Sequence, residues 1–498
     1  MKNPFFALPA LFACLAFSAS ALHAQNAAPD TAPPHLEKRG AATQLIVDGK
    51  PFLMLSGELH NSSSSSLDYM KPIWDKLRAL GLNSVVTPLS WELVEPQEGT
   101  FDYTLVDGLI QQARQENLRI VFLWLATWKN GLSSYTPVWV KQDTRRFPRV
   151  VLHGEEVEIM SPQGAATQQA DARAFAAPVP PELTKYLQAH HQSLYPKLRD
   201  LWDLNGDKLS GSWAQVFGDT TRADEIFMAW HYARFIHAVT ARGKAAYNLP
   251  MYVNTWLAGE TTPPGEFPSG GPEPWVVDVW KAAGGSLDFY SPDLYDPLFE
   301  QWCQRYHRDG NPLYMPETRG QAAGAANVFY ALGEEAGFGF SPFAIESEAS
   351  ETDPLGDSYK AIASIAPLLA QHQAAGDVHG FVLGPGHPSE VDFTLSGYTL
   401  HVALDNSFGG PASAAFGLIM ATGKDEFLGV GKGFRVTFTP RSVTGPKAGI
   451  AAVDEGTFED GKWVPERRLI GDEDDQGVHW RFDPKQIHIE KVSLYHYE

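Results

Sequence analysis

Pro312-Leu-Tyr-Met-Pro-Glu-Thr-Arg-Gly320 reads as a short buried strand followed by a polar turn. Leu313 to Met315 supply the apolar run, and Pro316 is expected to stop it, because proline cannot donate to a sheet ladder. Glu317 and Arg319 then fall on the loop leaving the strand. Where parallel strands alternate with helices around a barrel, that end of each strand faces the active site. The pair has two readings. In one, a surface carboxylate meets a nearby arginine, an arrangement worth little. In the other, the arginine keeps a catalytic carboxylate ionised.

The neighbouring sequence repeats the same unit. Upstream, Gln44 to Phe52 has the form of a hairpin turning at Asp48-Gly49. Buried strands are expected at Phe52–Gly57, Ser84–Glu92, Arg119–Ala126, Met251–Trp256 and Leu287–Asp293, with Gly339–Ile345 downstream. Helical spacing separates them at Leu67–Leu80, Phe101–Asn117, Ala223–Tyr247, Pro274–Ala283, Ala322–Glu335 and Ser358–Ala375. Strands alternating with helices imply parallel pairing, and the repeat length suits an α/β (β/α)8 TIM-type barrel over residues 44–380. Only seven core strands can be counted, so one strand is missing. Beyond Gly380, short alternating segments at Thr399–Leu404, Ala415–Met420, Phe434–Phe438 and Ile487–Tyr497 predict an all-β sandwich over residues 381–498.

Composition narrows the function. The chain of 498 residues carries a formal charge of −20, with no basic cluster to interrupt it. An acidic surface repels phosphate backbones, which argues against nucleic acid, whereas a neutral glycan would not be repelled. Met1 to Ala24 has a short basic start, an apolar run and small residues before Gln25, the pattern of a secretory signal peptide. Export to a periplasm or the exterior is expected, with no membrane attachment after cleavage. Residues 25–43 read as a disordered leader. With the signal gone Cys303 is the single cysteine, so no intrachain disulfide is expected.

Every strand end carries polar or aromatic groups. Glu58, His60 and Asn61 follow the first strand, Trp91 and Glu92 end the second, and Trp128-Lys129-Asn130 follow the third. Asn254 and Trp256, then Tyr290 and Asp293, then Glu317 and Arg319 belong to later strands. A tryptophan at such a place is more often core than platform. Taken together the set marks one functional face. No glycine-rich phosphate loop opens a helix and no H-E-x-x-H pattern appears, and His190-His191 cannot face one metal from a helix. No cofactor is expected.

Thr87-Pro-Leu-Ser-Trp-Glu-Leu-Val-Glu-Pro-Gln-Glu-Gly-Thr-Phe-Asp102 resembles the second-strand signature of β-galactosidases in glycoside hydrolase families 35 and 42, a W-x-x-x-E-P-x-x-G-x-F-D run. Ser56 to Ser63, Pro312 to Gly320 and the sandwich tail resemble the bacterial family 35 branch that acts on plant-wall galactosides. The resemblance spans roughly residues 40 to 498 and implies a retaining hydrolase with two carboxylates. Glu317 matches the family's nucleophile. Glu58, Asn61, Trp91, Glu92, Trp128, Asn254, Trp256, Tyr290 and Arg319 are the expected substrate contacts.

The family's acid/base is the Glu of an Asn-Glu pair at the end of strand four, and no such segment is found here. Ala166 to Phe175 resembles the start of the preceding helix. It runs straight into Ala176-Ala-Pro-Val-Pro-Pro181, which resembles the loop beyond that strand. The resemblance therefore implies that a block holding strand four and its Glu is absent, in agreement with the strand count. An open or distorted barrel is expected, and a loss of roughly a hundredfold to ten-thousandfold in proton-assisted catalysis. Glu58, Glu92 or Glu260 would substitute only at about 5 to 5.5 Å from Glu317. Two other functions stay open: a glycan-binding protein that kept the cleft and lost the chemistry, and an endo-acting glycanase.

Overall fold

The computed structural model describes residues 32–126, 129, 135–147, 151–152, 155–156, 175–259, 261–348, 353–405, 414–442, 445–459 and 461–498. The signal peptide, Trp128, Glu260 and the segment expected to begin the helix before strand four, except Phe175, lie outside the described residues.

An antiparallel meander comes first: β1 (His35–Arg39), β2 (Ala42–Val47) and β3 (Lys50–Pro51). The turn at Asp48 and Gly49 has both residues at positive φ, as a two-residue hairpin requires. β1 lies inside the expected leader. Its alternating residues pair with β2 through a turn at Gly40, so the disordered stretch cannot extend to residue 43.

Seven parallel strands follow. They are β4 (Met54–Leu55), β5 (Ser84–Ser90), β6 (Arg119–Leu125) and, beyond a two-strand ribbon of β7 (Val151–Leu152) and β8 (Glu155–Glu156), β9 (Tyr252–Trp256), β10 (Phe289–Leu294), β11 (Tyr314–Thr318) and β12 (Gly339–Pro342). Their order is β9-β10-β11-β12-β4, and a parallel bridge from Glu58 to Val86 joins β4 to the β5-β6 pair. The sheet curves around a shared interior. Met54, Val86, Tyr252, Phe289, Tyr314 and Phe338 pack into one cluster there, with Leu45 of β2. No ladder joins β6 to β9 among the described residues, and the strand that the sequence count lacks is expected in the same interval, of which residues 157–174 lie outside the described residues.

Pro316 does not end its strand. β11 runs through it to Thr318, and the register against β12 shifts between Met315 and Thr318. Bulges of this kind are where a strand accommodates proline and re-aims a side chain. Tyr314 faces the interior, stacked on Phe338 with ring centroids 5.4 Å apart. Strict alternation would send Glu317, three residues on, to the outer face. The bulge returns it to the inner one.

Between β8 and β9 lies a helical layer absent from the sequence reading: Pro181–Ala189, Pro196–Leu204 and Trp213–Phe217. Proline occupies the first helical position of the first two, where its missing N–H costs nothing. The same prolines read as loop signals in sequence. Leu183, Leu198, Trp202 and Trp213 form a second core with the long helix Thr221–Ala246 and Trp280.

The C-terminal region is two antiparallel sheets. One has order β13-β16-β17-β22-β19-β20 and the other β14-β15-β18-β21, with β13 (Val378–Leu383), β14 (Glu390–Leu395), β15 (Tyr398–Leu404), β16 (Ala415–Ala421), β17 (Glu426–Lys432), β18 (Phe434–Pro440), β19 (Lys447–Glu459), β20 (Lys462–Leu469), β21 (Trp480–Arg481) and β22 (His488–Tyr497). Phe381 and Leu383 enter the core between the sheets, while Val378 and Val382 face the helices Gln321–Gly333 and Pro354–Ala375. β13 is thus packed on both faces, and the tail shares a core with the parallel-sheet region. Gly333 and Gly380 allow that approach: a Cβ on Gly380 would lie 2.2 Å from the carbonyl oxygen of Phe329.

Candidate active site

The strand ends gather Glu58, Lys129, Asn254, Asp293, Tyr295 and Glu317. Asp293 and Glu317 are register partners across the β10–β11 ladder, so their side chains emerge side by side. Period-two alternation from the inward side chains of Met54, Tyr252 and Phe289 carries Glu58, Asn254 and Asp293 to the same face. The interior is therefore apolar at one end of the strands and acidic at the other.

Glu317 is nearly buried, and its two carboxyl oxygens differ. Oε1 accepts a hydrogen bond from the Tyr295 hydroxyl at 2.7 Å. Oε2 has no hydrogen-bond partner among the described residues and faces the Lys129 ammonium at 3.9 Å. Lys129 Nζ also donates to Asn61 Oδ1 at 3.1 Å and lies 4.0 Å from Glu58 Oε1. One cation thus serves two carboxyl groups. Glu58 is fully buried, and neither of its oxygens has a hydrogen-bond partner among the described residues. Burial first, and then the charge of Glu317, push its carboxyl up to about 9. Asp293 moves in the same direction for the same two causes, opposed by a hydrogen bond from Asn254 Nδ2 at 2.9 Å. Burial and Glu317 also raise Tyr295, keeping its hydroxyl a donor.

Three expectations are corrected. Arg319 does not hold Glu317: it is exposed, and its Nε donates to the Tyr295 carbonyl at 2.9 Å. Lys129, arriving from another strand, takes that place. Tyr290 is not on the functional face; one residue out of phase with Phe289, it packs edge-on against Trp280 at 6.1 Å in the helical core. Tyr295, five residues later and beyond the strand end, is the tyrosine at the site, and only its closeness to Asp293 in the chain could have signalled it. Trp91 and Glu92 belong to a separate network. Trp91 Nε1 donates to Glu95 Oε2 at 2.8 Å and its ring meets Trp139, while Glu92 faces Lys141 at 3.4 Å.

Trp256 is half-exposed at the mouth of a cavity of about 350 Å³ between β6 and β9, which Lys129, Asn254 and Asp293 also line. Far from this centre, His191, Asp203 and Asp207 bring ligand atoms within 4.8 Å of one another on the helical layer. His191 Nε2 is 2.7 Å from Asp203 Oδ1, an ordinary ion-pair distance for partly exposed groups. No helix among the described residues is long and apolar enough to cross a membrane.

Residues 44–123 match the model of glycosyl hydrolases family 35, and residues 355–481 match a domain of unknown function, DUF5597. The second match begins in the helix Pro354–Ala375 and ends at β21. Over 105 residues the chain is 37% identical to a beta-galactosidase of Xanthomonas manihotis, covering 20% of this chain and 17% of that protein. Over 145 residues it is 28% identical to beta-galactosidase 11 of Arabidopsis thaliana, covering 24% of this chain and 17% of the relative. The chain thus spans about a sixth of the length of either relative. Among solved structures, the cold-adapted beta-galactosidase of Rahnella sp. R3 overlaps 65% of this chain and 57% of its own at 16% identity, with a TM-score of 0.36. The catalytic domain of a beta-amylase from Paenibacillus polymyxa overlaps 62% of this chain and 98% of its own at 12% identity, with a TM-score of 0.42.

Proposed function

We propose that this chain, whose residues 44–123 match the model of glycosyl hydrolases family 35, is a member of that family and a retaining β-galactosidase-like enzyme with Glu317 as its nucleophile. The observation that carries the reading is the asymmetry of Glu317: Tyr295 fixes one oxygen, and the other is left without a hydrogen bond beside Lys129. An attacking carboxylate needs that arrangement. Oε2 bonds to the anomeric carbon as the glycosidic C–O bond breaks, and water later displaces the enzyme oxygen with a second inversion. The frame is an eight-stranded (β/α) barrel lacking its fourth strand. The substrate carries a terminal β-galactosyl residue, as do the plant-wall galactosides of the resembling branch, and Met1 to Ala24 direct the protein to the periplasm or exterior.

The leaving oxygen receives little help. Burial and the charge of Glu317 raise the carboxyls of Glu58 and Asp293, but Asp293 stands on β10, directly beside Glu317, and Glu58 follows β4, on the far side of β12 from β11. A retaining pair needs its acid opposite the nucleophile, about 5 to 5.5 Å away. No ladder joins β6 to β9 among the described residues, the interval in which the resembling family carries that acid, and this favours a second reading, a glycan-binding protein with impaired chemistry. Hydrolysis of two aryl β-galactosides, one with a good and one with a poor leaving group, separates the two. Turnover of the activated substrate, lost in Glu317→Gln, supports the enzyme. No turnover of either by folded protein, with glycan affinity unchanged in the variant, supports binding.

A further inference from the structure

β6 and β9, which no ladder joins among the described residues, are built unlike the other parallel strands. β5 and β11 are buried along their whole length, whereas Trp124 on β6 and Trp256 on β9 are 48% and 49% exposed. The cavity between these edges is walled on its outer side by Met228, Tyr232 and Phe235 of the helix Thr221–Ala246. Among the described residues no strand covers that helix face, and Phe235 is half-exposed there. Lys129 and Asp293 are the charged groups lining the cavity among the described residues, and both belong to the cluster around Glu317. A volume of about 350 Å³ falls within the range that holds a small organic ligand.

We propose that this opening is the leaving-group subsite and that it selects an aromatic aglycone, making phenolic β-galactosides the substrate class. The inference rests on the reading of Glu317 as nucleophile. Two independent features point to a phenol. The walls are apolar and aromatic, suited to a flat ring rather than a hydroxylated sugar. The position opposite Glu317 holds no acid among the described residues, and a phenol ionises near pH 10, as tyrosine does, whereas a sugar hydroxyl is far less acidic. When Glu317 Oε2 bonds to the anomeric carbon, the electron pair of the breaking C–O bond departs on the aryl oxygen as phenolate. Water then forms the new C–O bond, the bond to Glu317 breaks, and the proton lost by water balances the phenolate in solution. The sum is galactoside plus water giving galactose plus phenol.

The test combines kinetics with a binding measurement that does not need turnover. In the wild type, kcat/KM for phenyl β-galactoside should exceed that for methyl β-galactoside by at least a hundredfold. Phe235→Ala and Trp256→Ala should each lower that ratio about tenfold, the scale of one lost aromatic contact of about 1.4 kcal/mol. Tryptophan fluorescence of Glu317→Gln protein titrated with 4-nitrophenol should show saturable quenching, weakened by Phe235→Ala. Phe235 is half-exposed, so this variant should fold. Hydrolysis of both galactosides at a ratio indifferent to both substitutions, with no 4-nitrophenol binding, would overturn the subsite and leave the hydrolase reading standing. Saturable 4-nitrophenol binding with no hydrolysis of any galactoside would overturn the hydrolase reading and leave only an aromatic-binding pocket. A Val-Thr hexapeptide that binds where 4-nitrophenol does not would overturn the proposal in favour of strand capture by the open edges.

Discussion

Tyr295 donates its hydroxyl hydrogen to Oε1 of Glu317 over 2.7 Å, from a position just beyond the end of the neighbouring strand. The bond leaves Oε2 as the oxygen without a hydrogen-bond partner among the described residues. Tyr295→Phe removes it without changing the ring's volume. A hydrogen bond to a charged group is worth about 1.5–3 kcal/mol, so kcat for an aryl β-galactoside should fall roughly tenfold to a hundredfold. The unfolding midpoint should scarcely move. An unchanged kcat would mean that Glu317 is positioned by something else.

Lys129 lies between Glu58 and Glu317, with Nζ 4.0 and 3.9 Å from their oxygens. Lys129→Met should abolish most turnover and weaken binding of galactose, because the acidic cluster loses the cation it shares. Arg319→Met, on the exposed side, should do far less to turnover. Equal losses in the two variants would restore the arginine as the partner of Glu317.

Stability should fall as pH rises from acid to alkaline. Glu58 ionises near 4.5 in the unfolded chain and near 9 in the fold. The folded state therefore binds the extra proton between those values, and a group raised in this way stabilises fully below the lower value and ceases to do so above the upper one. Glu273, raised by burial to about 8, acts in the same direction. Urea midpoints measured at pH 5 and pH 8 should be higher at pH 5. Glu58→Gln should reduce that difference, and a midpoint that rises with pH would contradict the assignment.

The contact between the helix Gln321–Gly333 and β13 tolerates no side chain at Gly380. Gly380→Val should overpack it and cost about 1–3 kcal/mol. Because the sheet and the helices share one core, probes in both regions should lose stability together in thermal unfolding. Destabilisation confined to the β-sheet tail would show that the two unfold separately.

Much of this was legible in the chain. Hydrophobic periodicity and glycine stops placed the seven parallel strands and most of the helices between them, because the alternation of faces is a local property. The same count of seven rather than eight carries the expectation of a missing strand. The layer from Pro181 to Phe217 was not legible: proline marks a loop and the first turn of a helix equally well, and only the packing of Trp202 and Trp213 beneath the helix Thr221–Ala246 tells them apart.

At the site, the sequence by itself determined that Glu58, Asn254, Asp293 and Glu317 lie on or just after strands of one parallel sheet. It also determined that no Asn-Glu segment stands where the family places its acid. Tertiary structure alone decided which groups meet. A bulge at Pro316 turns Glu317 inward against simple alternation, and parity sends Tyr290 outward while chain direction beyond the strand brings in Tyr295. Lys129 displaces Arg319 as the nearby cation because it arrives from across the curved sheet. Spacing along a chain specifies faces; partners depend on register, bulges and the curvature of the sheet, and these are set by distant neighbours.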